Sequence, residues 1–131
     1  MYDYKIPKTK TNLRLTVRPN DLDSIGHVNN AVALEYFETG RVDWMIKNQL
    51  DNGKSIVPVV SRCEIDYRQE IFAQEIEVIT YIHEHGAYSV KFKQRIEVDS
   101  KIAAEALIQV GFIDAQQRKI VETQAFFDQE F

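Results

Sequence analysis

Residues 21–41 read DLDSIGHVNNAVALEYFETGR, and the passage changes character midway. The first half crowds Asp21, Asp23, Gly26, His27, Asn29 and Asn30 into a short polar loop, and the second half is apolar at intervals. From about Asn30 to Asn48, apolar side chains recur at Ala33, Phe37 and Trp44, with Leu34, Met45 and Ile46 beside them, a spacing that predicts one long helix. Asn29 and Asn30 stand where an N-cap belongs. An asparagine cap is worth about 0.5–2 kcal/mol, because its side chain takes a hydrogen bond from a backbone N–H that has no partner within the helix. Gly53, in DNGKS at 51–55, reads as a stop just past the helix. Gly40 lies inside it and costs roughly 1 kcal/mol relative to alanine; the expected compensation is close approach of the helix to a sheet.

Around the helix the hydrophobic period is two. Leu13, Leu15 and Val17 alternate with polar residues before the loop. After the helix, Val57, Val59, Ser61, Cys63, Ile65 and Tyr67 form one series, and Ile76, Val78, Thr80 and Ile82 form the next. Two more follow: Tyr88, Val90, Phe92, Gln94 and Ile96, then Ile102, Ala104, Ala106, Ile108, Val110 and Phe112. Turns at HEHG, 83–86, and VDS, 98–100, are short enough for hairpins. One strand, one long helix and a four-strand antiparallel meander make an α+β plan, a single domain over 1–131 in which the sheet wraps the helix and buries its apolar stripe. Phe126, Phe127 and Phe131 imply that at least part of the tail from Ala115 packs as well.

Bulk properties restrict the function classes. A chain of 131 residues can bury a core without disulfide or metal support. A net charge of -4 and a pI near 5.4 offer no general attraction to nucleic acid or anionic lipid, so neither is an expected partner. The start, MYDYKIPKTKTNLRL, has no signal-like apolar segment, and no later run approaches a membrane span, so a cytoplasmic protein is expected. Cys63, the single cysteine, can form neither an internal disulfide nor a paired-cysteine zinc site, and its place in an alternating series assigns it to core packing. His83 and His85 could present two imidazoles on one face, but no third ligand is evident and no metal is expected.

The pattern DxDxxGHVNNA at 21–31, followed by a helix carrying Tyr36, Glu38 and Arg41 and later by Asp66, Tyr67 and Arg68, resembles the hotdog-fold acyl-CoA thioesterases of the 4-hydroxybenzoyl-CoA thioesterase type. The resemblance covers nearly the whole chain. It implies a hotdog fold, an antiparallel sheet of about five strands around one central helix, and hydrolysis of a fatty or aromatic acyl-CoA or acyl carrier protein thioester without a cofactor. It also implies a homodimer or dimer of dimers, sheets joined edge to edge and substrate bound between subunits.

By the same resemblance Asp23 matches the catalytic aspartate, acting either as nucleophile or as base for a water, and the backbone N–H of Asn30 would receive the oxyanion. Gly26 lets the backbone turn sharply and approach a substrate. His27 either orients substrate or shares proton transfer, or is a structural hydrogen-bonding group. Asp21 has no match and reads as a turn residue or a supporting acid. Glu64 falls where related plant acyl-carrier-protein thioesterases add an acid on a later strand, though they carry asparagine where this chain has Ile25; its other reading is a surface carboxylate. Asn29 and Tyr36 are candidate substrate contacts. Lys91, Lys93 and Arg95 alternate on one sheet face, either to meet coenzyme A phosphates or simply as a solvated face. Glu38 and Arg41 are expected to pair as ions.

Two other classes compete. Hotdog hydratases and dehydratases set their Asp and His one position further apart than Asp23 and His27 stand here, and lack HVNN. A non-catalytic acyl-binding dimer module would be expected to replace the loop acid, and Asp23 is present.

Overall fold

Alternating apolar residues become strands, and the 3.6-residue stripe becomes a helix, in a computed structural model that describes residues 6–51 and 55–129. The order is β1 (Thr11–Thr16), a 3-10 turn (Pro19–Asp21), α1 (Asn30–Lys47), β2 (Ile56–Tyr67), β3 (Glu75–His85), β4 (Ser89–Val98), β5 (Lys101–Asp114) and a short α2 (Thr123–Phe127). All five strands form one antiparallel sheet in the order β1-β3-β4-β5-β2. With α1 laid along one face, this is the α+β hotdog arrangement.

The four-strand meander needs correction. Only β3, β4 and β5 follow one another in the sheet; β2 lies on the far edge beside β5, and β1 takes the place next to β3. Period two tells which side chains share a face, not which strand is the neighbour, and the stretch 68–74 is long enough to carry the chain across.

Ala33, Tyr36, Phe37, Gly40 and Trp44 form the buried stripe of α1. They meet Val78, Val90, Phe92, Ile96, Ala104, Ala106, Ile108 and Val110 of the sheet in one core. Trp44 and Phe92 pack edge to face, 5.1 Å between centroids. Leu34 and Ile46 are exposed instead, so the stripe is narrower than the sequence spacing implied.

Close approach at Gly40 is real: a Cβ there would lie 2.6 Å from Val78 Cγ1 and 3.0 Å from Thr80 Oγ1 and Gln94 Nε2. The fully buried Gln94 turns this contact into a clamp. Its Nε2 donates to Phe37 O (2.8 Å) and Thr80 Oγ1 (2.9 Å), and its Oε1 accepts from Arg41 Nη1 (3.0 Å). Each polar atom removed from water here has a partner, as burial requires.

The helix ends at Lys47, earlier than Gly53 suggested: Asn48 Nδ2 donates back to Trp44 O (2.8 Å) and Gln49 takes φ 59°. Gly53 lies outside the described residues, as does Phe131. Phe126 stacks on Phe112 at 4.6 Å and Phe127 closes against both edge to face, so this part of the tail does pack. Asp99 and Ser100, both at positive φ, make the two-residue hairpin between β4 and β5. The other hairpin is displaced from HEHG: β3 runs through His85, Gly86 N bonds Ser89 O (2.8 Å), and Tyr88 is exposed in the turn.

The largest departure is in β2. Pro58 lies opposite Phe112 and Val60 opposite Val110, so both face the helix. A bulge between Val60 and Arg62 then shifts the register, after which Cys63 faces Ile108, Ile65 faces Ala106 and Tyr67 faces Ala104. Val57 and Val59 therefore lie on the opposite face from Cys63, Ile65 and Tyr67. Cys63 is exposed rather than buried in the core, because β2 is an edge strand that α1 does not cover.

Candidate active site

The loop before α1 is held at both ends. At its start Asp21, only 4% exposed, accepts from Arg18 N (3.1 Å), Arg18 Nη2 (3.0 Å) and the Tyr36 hydroxyl (2.8 Å). Hydrogen bonding from Arg18 holds its carboxyl below the usual carboxylate range, against the opposing effect of burial. The Tyr36 phenol is pushed up, chiefly by burial and then by its bond to Asp21. Tyr36, a candidate substrate contact from sequence, is thus a buried core residue whose hydroxyl is engaged by Asp21.

Asp23 closes a tight turn with His27. Its N–H donates to His27 O (2.9 Å), Gly26 N donates to Asp23 O (3.1 Å), and Gly26 sits at φ +86°, where a side chain would strain the backbone. One carboxylate oxygen, Oδ1, accepts from Ile25 N (3.0 Å) and His27 N (3.4 Å). The other, Oδ2, lies 3.5 Å from His27 Nε2, and the Asp23 side chain stays 30% exposed. The acid is both a turn-maker and, through Oδ2, available beside an imidazole.

The head of α1 divides the roles of the two asparagines. Asn29 is the cap: its Oδ1 accepts from Ala31 N (2.7 Å), and its carbonyl takes Val32 N (3.0 Å) and Ala33 N (3.2 Å). Asn30 is the first helical residue, and its N–H has no acceptor among the described residues. Asn30 also lines a cleft of about 260 Å³ together with His27, Val28, Ala33 and the segment Tyr67–Ile71. The segment is sewn to the loop by Val28 N→Ile71 O (2.7 Å) and by the Tyr67 hydroxyl donating to Asn30 O (3.0 Å). Tyr67 was not among the site residues expected from sequence; the signal for it was the Asp66-Tyr67-Arg68 stretch.

A second cleft, about 330 Å³, opens between α1 and β2, lined by Glu38, Arg41, Val42, Met45, Pro58, Val60, Phe92 and Val110. The expected Glu38–Arg41 ion pair does not form. Arg41 turns to Gln94, and burial pulls its pKa down while Glu38 acts on it only at longer range.

Glu64 pairs with Arg62 (2.6 Å) and borders depressions shared with Lys91 and Lys93 on the face away from α1. Lys91, Lys93 and Arg95 occupy the same outer face, and within one chain they do not border the cleft. Lys91 is partnered by Glu84 (3.8 Å) and Arg95 by Glu97 (3.1 Å). Among the described residues no group of three or more His, Cys, Asp and Glu side chains is arranged to hold a metal, and no helix is long and apolar enough to cross a membrane.

Residues 17–131 match the family model described as the thioesterase-like superfamily. The chain belongs to the thioesterase-like superfamily. As a member it is a thioester hydrolase, and its architecture recurs in solved structures. A probable thioesterase, YbaW from Escherichia coli, is 26% identical with a TM-score of 0.74, covering 85% of this chain and 88% of its own. One from Bartonella henselae is 20% identical with a TM-score of 0.80, covering 87% and 98%. A 1,4-dihydroxy-2-naphthoyl-CoA thioesterase from Synechocystis is 14% identical with a TM-score of 0.77, covering 90% and 92%. At the two lower identities the likeness is one of fold alone. No curated protein matches the chain significantly. Within the matched residues, Asp23, Gly26 and His27 meet in the turn, and His27 and Asn30 line the cleft.

Proposed function

We propose that this superfamily member hydrolyses the thioester of a fatty or aromatic acyl group carried on coenzyme A or acyl carrier protein, releasing free acid and thiol. The observation that carries the reading is the Asn30 N–H at the head of α1, without an acceptor among the described residues, on a residue that lines the cleft beside His27. An amide so placed can receive the carbonyl oxygen as it becomes negative. One such donor is worth about 3–4 kcal/mol in the transition state, against roughly 0.3–1 kcal/mol for the dipole of an exposed helix end, so the aimed hydrogen bond dominates.

Asp23 supplies the other half. Either its carboxylate attacks the carbonyl carbon, expelling thiolate and leaving a mixed anhydride that water cleaves, or it takes a proton from the attacking water. His27, 3.5 Å from Oδ2, is placed to orient that carboxylate in both routes. Neither route calls for a cofactor.

The proposal includes a homodimer or dimer of dimers in a reducing cytoplasm. Its support is β2, an edge strand over residues 56–67 with ladder partners on one side only and with Val59, Val60 and Tyr67 exposed. An edge of that length invites pairing with a second copy.

The test is a thiol-release assay over acyl-CoA esters from acetyl through palmitoyl to benzoyl, with acyl carrier protein esters alongside. Asp23→Asn keeps the size and removes the charge, so kcat should fall by about three orders of magnitude or more with acyl-CoA binding nearly intact. Wild-type turnover in that variant would remove Asp23 from the mechanism.

A further inference from the structure

Tyr67 is the last residue of β2, and it crosses from the edge of the sheet to the head of the helix. Its hydroxyl donates to Asn30 O at 3.0 Å, and its side chain borders the same cleft as His27 and Asn30. Asn30 is the residue whose own N–H lacks an acceptor among the described residues. We propose that Tyr67 is a positioning residue for thioester hydrolysis, holding the Asn30 carbonyl so that the N–H of the same residue stays aimed at the reacting carbonyl oxygen.

Two local bonds explain why this tether matters. Asn29 Oδ1 fixes Ala31 N, and Val28 N is fixed to Ile71 O, so the residues on both sides of Asn30 are anchored. The opening turn of a helix has no intrahelical partners for its N–H groups and frays readily, so a lateral hold on its first residue limits how that N–H can turn. The Tyr67 hydroxyl supplies that hold, beside the helix bond that the Asn30 carbonyl accepts as first helical residue. The tyrosine is itself held, because Arg68 N and Gln69 N both donate to Ala103 O of β5 (2.8 and 3.1 Å). The tether therefore runs from the sheet interior through the phenol to the helix head. A phenol is protonated at neutral pH and so available as a donor, and partial burial pushes that of Tyr67 further up.

Donor aim is a transition-state property. A misdirected N–H loses stabilisation of the developing oxyanion while substrate binding, spread over the whole thioester and its carrier, changes little. The inference rests on the hydrolytic reading above, and the experiment separates the two.

Tyr67→Phe deletes one oxygen and keeps the ring. With the acyl-CoA ester that wild type cleaves fastest, kcat should fall about tenfold while KM stays within about twofold. The melting temperature should stay within about 2 °C of wild type, since one partly exposed hydrogen bond contributes little to stability. The Asn30 amide signal in an NMR spectrum should shift and exchange faster with solvent. Unchanged kcat, a KM rise at constant kcat, or a kcat loss matched by a large fall in melting temperature would each overturn the positioning role. A wild type that releases thiol from no ester would instead bring down the hydrolytic reading, and this inference with it.

Discussion

Asp21 and Asp23 stand one residue apart and do different chemistry. Asp21 is buried and fully engaged by Arg18 and Tyr36, whereas Asp23 keeps one oxygen for His27 and solvent. Because the folded-state pKa of Asp21 is depressed, the stability it contributes is present above its unfolded value, near 3.9, and is lost as pH falls through the lower folded value. Urea midpoints measured from neutral pH into that acid range should show the loss in wild type. Asp21→Asn should be less stable at neutral pH and should lack this part of the acid dependence; an unaltered acid slope would dissociate Asp21 from it. The helix cap was legible in the sequence because it depends on local spacing. The burial of Asp21 was not, since it arises from two partners that only the folded chain brings around it.

At the scale of elements, the contact between α1 and the sheet is set by a missing side chain. A methyl group on residue 40 would approach Val78 Cγ1 to 2.6 Å, so Gly40→Ala must push the helix away from β3 or displace Val78 and the Gln94 clamp. Overpacking of this kind costs about 1–3 kcal/mol, more than the helix propensity gained by alanine, about 1 kcal/mol. Net destabilisation in chemical denaturation is expected, and a stabilised variant would mean that helix and sheet separate easily. Helix, strands and hairpin turns were readable because period and turn chemistry are local. Strand order was not. Placing β1 beside β3 and β2 beside β5 depends on contacts between residues far apart in sequence, to which alternation is blind.

For the whole molecule, the question is what covers β2. One flank of this strand is laddered to β5, the other has no strand beside it among the described residues, and the helix-side cleft along it is walled by Val42, Met45, Pro58 and Val60. In the proposed dimer this seam is interior. The protein should then elute and scatter light as a species of at least twice 15.2 kDa at micromolar concentration. Val60→Lys, which brings a charge to the seam, should shift it toward monomer and reduce thiol release with it. A wild type that scatters as a monomer would count against assembly through β2.

The irregularity at Ser61 bears on how the seam tolerates change in length. Because the extra residue puts the strand out of phase with itself, Pro58 and Val60 upstream and Cys63, Ile65 and Tyr67 downstream all look toward α1. Excising Ser61 would restore strict alternation and leave both halves on their present faces, because Val60 and Arg62 already pair with the consecutive residues Val110 and Gln109. Pro58 and Val60 would keep their places in the cleft wall, and Val57 and Val59 would stay on the opposite face. A single deletion would thus straighten the strand without altering any residue that lines that wall.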